Sequence, residues 1–435
     1  MCAACGVATH IPDVDQAPPV RKFAALYNRD CRPYLIGTGL AMMADNIEHV
    51  ITYWVLWEKF HSPALAGFQV ISHWVPFLLF SVYFGSLADR YDCRRVVQAA
   101  QLLFMFVSAA WGVLFLTGSL QVWQACVLLI LHGSAGALWA PGEQLMLHDF
   151  VGTDELPSAV RLNATFRSLG VLLGPAAGAA LLLLGPTTGI FCNVAIYLPL
   201  TLFLSRTRFT GHTRQRLGRP QRLGILGSVR VLREVGSDHT LISMIVLGGL
   251  GSFFIGASLQ SAMPIFAHDL STGGATTAYE VLLFASGAGG VLGGVVLEAT
   301  GRVRPSLAAA VATTALYGLT TLFFAVTHDY PLAVLLLVVS GAANLASMSI
   351  GQTVVQLRAP AAQRGRVIGV YGMSANGLRA GSGFTVGLLG AAVGVHWSLG
   401  LSAGAMCVGT AAAAAYALRA PARYSSASKT YASPR

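Results

Sequence analysis

Three ionisable side chains sit inside one apolar stretch of the chain: Asp45, Glu48 and His49. Their i, i+3, i+4 spacing puts all three on one face of a helix. Asp45 falls about eleven residues into that stretch, roughly 16 Å at 1.5 Å per residue, near mid-membrane. Charges at such depth are costly and usually functional. A carboxyl group in low dielectric takes up a proton more readily than one in water. A group charged in one state and neutral in another can couple proton movement to a conformational change, so Asp45, Glu48 and His49 form the candidate proton-coupling set. The same side chains also suit a structural ion pair or a cavity wall. His49 and His73 each also suit the role of satisfied bundle histidines.

Further charges lie in other apolar stretches. Glu143 falls near one end of the fourth and Arg167 at similar shallow depth in the fifth, so a Glu143–Arg167 pair is expected, as a gate or as packing. Arg379 falls about eleven residues into the eleventh, again roughly 16 Å deep. No acid lies deep in the C-terminal half, so its expected partners are Asp45 or Glu48 across a cleft, or an anionic group on a substrate. Asp45, Glu48 and Arg379 are expected to face that shared aqueous cleft. Tyr53, Trp54, Trp74, Trp139, Phe253, Phe254 and Tyr371 can line an amphipathic pocket, although several suit interfacial anchoring. No phosphate-cradling loop, metal-ligand cluster or nucleophile triad stands out. Cys2 and Cys5 supply only half of a structural zinc site. Neither an enzyme nor a cofactor is implied.

The elements that carry these groups follow from composition. The 435 residues are 54% hydrophobic and 11% charged, against about 25% charged in soluble proteins. That composition predicts an all-α polytopic membrane protein. With about 20 residues needed per span, twelve spans are expected near 34–57, 66–88, 96–116, 123–147, 160–184, 189–204, 240–266, 277–300, 306–327, 331–357, 368–393 and 397–418. They make two six-helix bundles, 34–204 and 239–418. A central loop, 205–238, joins them, with tails at 1–33 and 419–435. Of the 28 Lys and Arg, 25 fall on one side of these spans, Lys59 on the other, and Arg167 and Arg379 within them. The positive-inside rule makes that side, with both tails and the central loop, cytoplasmic. The basic central loop lacks interleaved aromatics, so it suits the anionic inner leaflet rather than nucleic acid.

The halves are faintly alike. Gly85-Ser-Leu-Ala-Asp89-Arg-Tyr-Asp-Cys-Arg-Arg95 follows the second span, and Gly294-Val-Val-Leu-Glu298-Ala-Thr-Gly-Arg-Val-Arg304 the eighth, as a degraded copy. Arg161, Phe166 and Gly178 match Arg366, Tyr371 and Gly383. Such repeats imply a pseudo-twofold axis along the membrane normal.

Gly85, Leu87, Asp89, Arg90, Arg94 and Arg95 resemble the signature of the major facilitator superfamily between its second and third spans, with Asp92 where Gly is usual. Gly170-x-x-x-Gly174-Pro175-x-x-Gly178-Ala179 resembles the fifth-span motif of its drug and proton antiporters. The stretch from Ala140-Pro141 through Asn163, with Arg364-Gly365-Arg366-Val367, is similar to the branch of bacterial siderophore exporters. Many proton antiporters of the family carry a basic residue within the fourth span; here Leu occupies that region, near Leu128–Leu131. The resemblance implies alternating access, a cytoplasmic latch built on Gly85, Asp89, Arg90, Arg94 and Arg95, and a rocking surface at Gly170, Gly174, Pro175 and Gly178. It implies proton-driven export of an amphipathic small molecule, siderophore or drug-like, across the cell inner (plasma) membrane. A twelve-span bundle encloses its own pathway, so a monomer is expected, with substrate, protons and lipid as its partners. An importer, or a receptor that binds without transport, are the other readings.

Overall fold

The computed structural model describes residues 22–214, 236, 238–256, 258–270 and 275–419, and all regular structure among them is helical. The Cys2–Cys5 pair, the arginines from Arg216 to Arg233 and the C-terminal Arg423, Lys429 and Arg435 lie outside the described residues. A single turn, Ala24–Tyr27, precedes twelve membrane-length rods. In the first half these are α1 (Cys31–Phe60), α2 (Pro63–Arg90), α3 (Cys93–Thr117), α4 (Val122–Val151), α5 (Leu156–Leu182) and α6 (Pro186–Arg206, two pieces in line). In the second half they are α7 (His239–Phe254 and Ser258–Leu270), α8 (Ala275–Thr300), α9 (Leu307–Val326), α10 (Tyr330–Arg358), α11 (Arg364–Gly372 and Arg379–Val393) and α12 (Val395–Arg419).

Ten of the twelve are long and apolar enough to cross a membrane by length and composition. The other two are informative. The middle of α1 is polar, with Asp45, Asn46, Glu48 and His49 in a row of five residues. The α-helix of α11 is interrupted by a wide π turn at Met373–Gly377. Such turns concentrate at functional sites, and here one stands immediately before Arg379. Short polar side chains and glycine (Ser374, Asn376, Gly377) make the segment a poor straight helix. A sequence reading of one unbroken span there misses the break.

Local signals set the helix ends. Asp92 accepts from Arg94 N at 2.9 Å to start α3, Asp238 from Thr240 N at 2.9 Å to start α7, and Asp329 from Leu332 N at 2.7 Å to start α10. Each thus satisfies a backbone donor that the first helical turn leaves free. Gly185 and Gly394 take φ of 90° and 88° at the α5–α6 and α11–α12 turns, a region open chiefly to glycine. Equivalent turns at equivalent places support the repeat read from the sequence.

The glycine run of α5 lies along α1. A Cβ on Gly170 would stand 2.5 Å from Gly39 O and 2.9 Å from Met43 N, and one on Gly178 3.0 Å from Val50 Cβ. Gly174 abuts Asn46. Backbone-to-backbone approach of this kind is what small residues permit between membrane helices. It fixes one face of α1 against α5 and leaves Asp45 and Glu48 facing into the bundle, toward α4. Leu in place of Gly170 is expected to cost about 1–3 kcal/mol by overpacking, seen as a lowered thermal midpoint of purified protein. An unchanged midpoint would show that α1 and α5 are free to separate.

The main packing between the halves is α2 and α4 against α11, and α5 against α8 and α10. Those contacts gather toward the end of the molecule where Arg90, Arg161 and Arg366 lie, here the basic end. The halves are joined there.

Candidate functional site

Asp45 and Glu48 meet a partner that the sequence reading overlooked. His132, near the middle of α4, lies between them: its Nε2 is 2.8 Å from Asp45 Oδ1, and its Nδ1 is 2.9 Å from Glu48 Oε1. The first contact has hydrogen-bond geometry; the second is at ion-pair distance but too bent for a hydrogen bond. Both ring nitrogens thus face carboxylate oxygens, an arrangement suited to the doubly protonated ring, with Nε2 hydrogen-bonded to Asp45 and Nδ1 at ion-pair distance from Glu48. The Ser108 hydroxyl donates to Glu48 Oε2, and Asn193 Nδ2 reaches Ser108 at 3.5 Å. The fourth span therefore does carry an ionisable basic side chain, one residue beyond Leu131. The expectation that leucine had replaced it is corrected. A single histidine in an apolar helix gives no periodic signal, but its depth, about ten residues into α4, matches that of Asp45 and could have pointed to it.

His49 and His73 complete the cluster. His49 Nδ1 stands 3.9 Å from Asp45 Oδ2, and its ring centroid is 4.9 Å from those of His73 and His132. His73 Nδ1 is buried with no hydrogen-bond partner, so His73 is not the satisfied histidine expected. One ligand-capable atom from each of Asp45, His49, His73 and His132 lies within 4.8 Å of the others. The absence of a metal-ligand cluster read from linear spacing does not extend to three dimensions. The group is close enough for a shared proton or a bound cation. Glu48, Asp45 and His132 are 2%, 7% and 3% exposed, so they are enclosed within the first bundle rather than lining the cleft as expected. The half-buried His49 and His73 are the more exposed members.

Arg379 pairs with neither Asp45 nor Glu48. Its guanidinium carbon lies 4.9 Å from the ring centre of Trp74, on α2 of the other half, and its Nε is buried without a hydrogen-bond partner. Arg167 and Glu143 do meet, at 2.9 Å, with Asn163 Nδ2 donating to the same carboxylate at 3.0 Å. Arg167 also stacks over Trp139 at 4.9 Å. Of the other aromatic candidates, Tyr371 is buried with its hydroxyl donating to Met348 O, whereas Trp54 and Phe253 are exposed. Tyr53 packs on His49, and Phe254 on Phe253.

At the basic end two acids cross between the halves. Asp89, from α2, accepts Gly365 N at 2.5 Å and Arg366 N at 3.0 Å at the start of α11. A helix N-terminus favours an anion there. Glu298, from α8, accepts Arg161 Nε at 2.7 Å, the Ser158 hydroxyl and Phe23 N at 2.8 Å. Arg161 and Ser158 lie at the start of α5, so each half offers an acid to the other. The copy that looked degraded in sequence keeps its acid in place. Gln356 Nε2 donates to Gln144 at 2.8 Å, and Arg364 lies 3.0 Å from His148 Nε2, adding two more crossings. The motif arginines do not make any of these bonds. Arg94 pairs with Asp92 in its own loop and donates to Thr207 O, Arg90 lies over Tyr91, and Arg95 is exposed.

Gly85 makes the crossing possible, because Gly365 packs directly on it: a Cβ on Gly365 would stand 2.5 Å from Gly85 O and 2.7 Å from Asp89 Oδ1. Val at 365 is expected to hold this end apart. A cysteine placed at Gln144 should then react with maleimide several-fold faster, on the order of the tenfold that about 1.4 kcal/mol gives. Equal rates would mean that Gly365 is not part of the closure.

Comparison with known proteins gives the family and the fold. Residues 21–435 match a family model described as transmembrane secretion effector. Macrolide efflux protein A of Streptococcus pyogenes is 20% identical over 145 residues, 33% of this chain and 36% of that protein. The chain therefore matches only about a third of the length of that relative. The Escherichia coli fucose:proton symporter is similar in structure, with a TM-score of 0.69 at 13% identity over 88% of this chain and 97% of that one. The human organic anion transporter MFSD10 gives 0.66 at 15% identity, over 88% and 98%. At such identities these two speak for the fold alone.

Proposed function

This chain belongs to the transmembrane secretion effector family, a group of major facilitator transporters and not of enzymes, and on that premise we propose that it is a proton-coupled exporter of amphipathic small molecules. The observation that carries the coupling is the His132 ring seated between Asp45 and Glu48. Two carboxylates sharing one imidazolium hold a net negative charge inside the bundle. Arrival of a second proton neutralises it, and its departure restores the charge. Because buried charge is expensive in a membrane, the two protonation states favour different exposure of the cluster. His49 and His73 are the route by which protons reach it from the cleft.

The direction rests on two supports: the family's description as a secretion effector, and the distant likeness to a macrolide efflux protein. The basic end, with both tails, is placed in the cytoplasm by the charge bias, so the arrangement described is outward-facing. Asp89 and Glu298 are the cytoplasmic latch, and the α1–α5 glycine contact moves as a unit within the rocking half. A monomer in the plasma membrane suffices.

The test is accumulation of erythromycin and a small panel of amphipathic dyes in everted membrane vesicles, with and without an imposed pH gradient, acid inside. Accumulation of at least one compound that rises with the gradient and collapses with an uncoupler is the expected result. Gradient-independent movement, or movement in the opposite direction, would overturn the reading.

A further inference from the structure

Three histidines and a carboxylate from three different helices converge inside the first bundle. Asp45 and His49 come from α1, His73 from α2 and His132 from α4. Gly133 lets α4 approach α2: a Cβ there would run into Ser72 O and stand 3.0 Å from His73 Cα. The ring centroid of His49 is 4.9 Å from those of His73 and His132, which are 5.7 Å from each other. One donor atom from each of the four residues lies within 4.8 Å of the others. Four points that close share a centre no more than about 3 Å from any of them. Shifts on the order of 1 Å then bring nitrogen to the 2.0–2.1 Å of a zinc bond. Such an ion needs no separate cavity, because it stands where the donor atoms already face one another.

Charge and orientation favour a divalent ion there. His73 Nδ1 is buried with no hydrogen-bond partner, and an unmet polar atom of that kind calls for an explanation. His132 turns Nε2 to Asp45 at 2.8 Å and Nδ1 to Glu48 at 2.9 Å. With a metal on Nε2, the ring keeps its proton on Nδ1, beside the Glu48 carboxylate. Metal-bound histidines are commonly oriented by an outer acid in this way. The Ser108 hydroxyl in turn donates to Glu48. Asp45 and Glu48 together balance two positive charges while all three rings stay neutral. A lone imidazolium leaves one negative charge over, in a membrane interior where uncompensated charge is costly. Three imidazoles and one carboxylate suit zinc, cobalt, nickel or copper(II), whereas magnesium and calcium prefer oxygen alone.

We propose that Asp45, His49, His73 and His132 bind one divalent transition-metal ion, zinc being the best fit, with Glu48 as the residue that positions His132. A bound ion neutralises the cluster as the second proton does in the exporter reading, so ion and protons compete for it. The site goes beyond that reading, and its test involves no transport.

The experiment uses the full chain in phosphatidylcholine nanodiscs, stripped with a chelator and carrying Cys2→Ser and Cys5→Ser to take the tail thiols out of play. Cobalt(II) is the probe, because four-coordinate cobalt absorbs visible light far more strongly than the hydrated ion. One saturable equivalent with that absorption is expected, displaced by zinc and untouched by a large excess of magnesium. His73→Gln should weaken binding roughly tenfold or more and shift the bands. Glu48→Gln should weaken it by about tenfold and leave the bands in place, since Glu48 is not a ligand. Zinc, and not magnesium, should also raise the thermal midpoint of the double-serine protein, a readout that needs no altered ligand to fold. No saturable absorption, only the weak absorption of hydrated cobalt, or binding that survives both His73→Gln and His132→Gln each overturn the proposal. The last outcome would place the ion elsewhere, such as the exposed His268–Asp269–His396 group. A failed vesicle assay with intact cobalt binding removes the exporter reading alone. Gradient-driven accumulation without cobalt binding removes the metal site alone.

Discussion

Asp45→Asn should abolish accumulation driven by a pH gradient while leaving substrate counterflow in place. Asparagine keeps the size of the side chain and one oxygen for His132 Nε2, now 2.8 Å from a carboxylate. What it removes is the second negative charge beside the ring. Glu48 alone then balances the imidazolium, and the cluster has no need of a further proton. Gradient-driven accumulation is expected to fall by roughly tenfold or more, the scale of losing about 1.4 kcal/mol of differential stabilisation. Counterflow exchanges substrate for substrate without net proton movement, so it reports that the protein is folded and binding. His132→Gln attacks the same device from the other side. It leaves two acids with no cation between them, and one must then hold a proton throughout the cycle. Both variants should therefore show the same uncoupled phenotype, although they change charge in opposite directions. A pump that still follows the gradient after either change would remove Asp45, Glu48 and His132 from the mechanism.

The second large effect is expected at Glu298. Its side chain is fully buried and that of Arg161 is 8% exposed, with 2.7 Å between them. Removing one member of a buried pair commonly costs about 3–5 kcal/mol, because the other charge is stranded. In a two-state transporter the cost falls on the state that contains the pair, here the one closed at the basic end. Glu298→Ala should therefore shift the population toward opening at that end. Spin labels placed across the halves should read the change as longer distances at the basic end and shorter ones at the other. Glu298→Gln retains an acceptor for Ser158 and Phe23 and should shift the population less. Arg161→Met in the Glu298→Ala background should recover part of the closed population, because no charge is then left stranded. If both single variants keep the original distances, closure depends on Asp89 and the Gln144–Gln356 contact without help from Glu298.

The fold was readable from the chain because membrane insertion leaves coarse marks. Long apolar runs, arginines on one side and a motif repeated at the midpoint all survive in one dimension. The site was only partly readable. Asp45 and Glu48 were visible as charges in an apolar run, and the Glu143–Arg167 pair follows from two charges at similar depth. His132 was not visible, because 87 residues separate it from Asp45 and an isolated histidine in a helix is usually a packing residue. Arg379 was expected to reach across to an acid. It reaches across to Trp74 instead, because His132 had already taken both acids. The role of the motif arginines was misjudged for a similar reason. A charged side chain at a helix end has several nearby acceptors, and Arg94 takes two within its own half, Asp92 and Thr207 O. The backbone donors of Gly365 and Arg366, which hold Asp89, leave no trace in side-chain identity.

Phe23 carries a practical lesson for anyone redesigning the chain. Its backbone N–H donates to Glu298, and its φ of 54° turns the polypeptide toward that carboxylate just before the turn at Ala24–Tyr27. Trimming the polar leader to aid crystallisation must therefore stop at Lys22. A truncation two residues further would delete a fastener, and the shortened transporter would sample a different mixture of shapes from its parent.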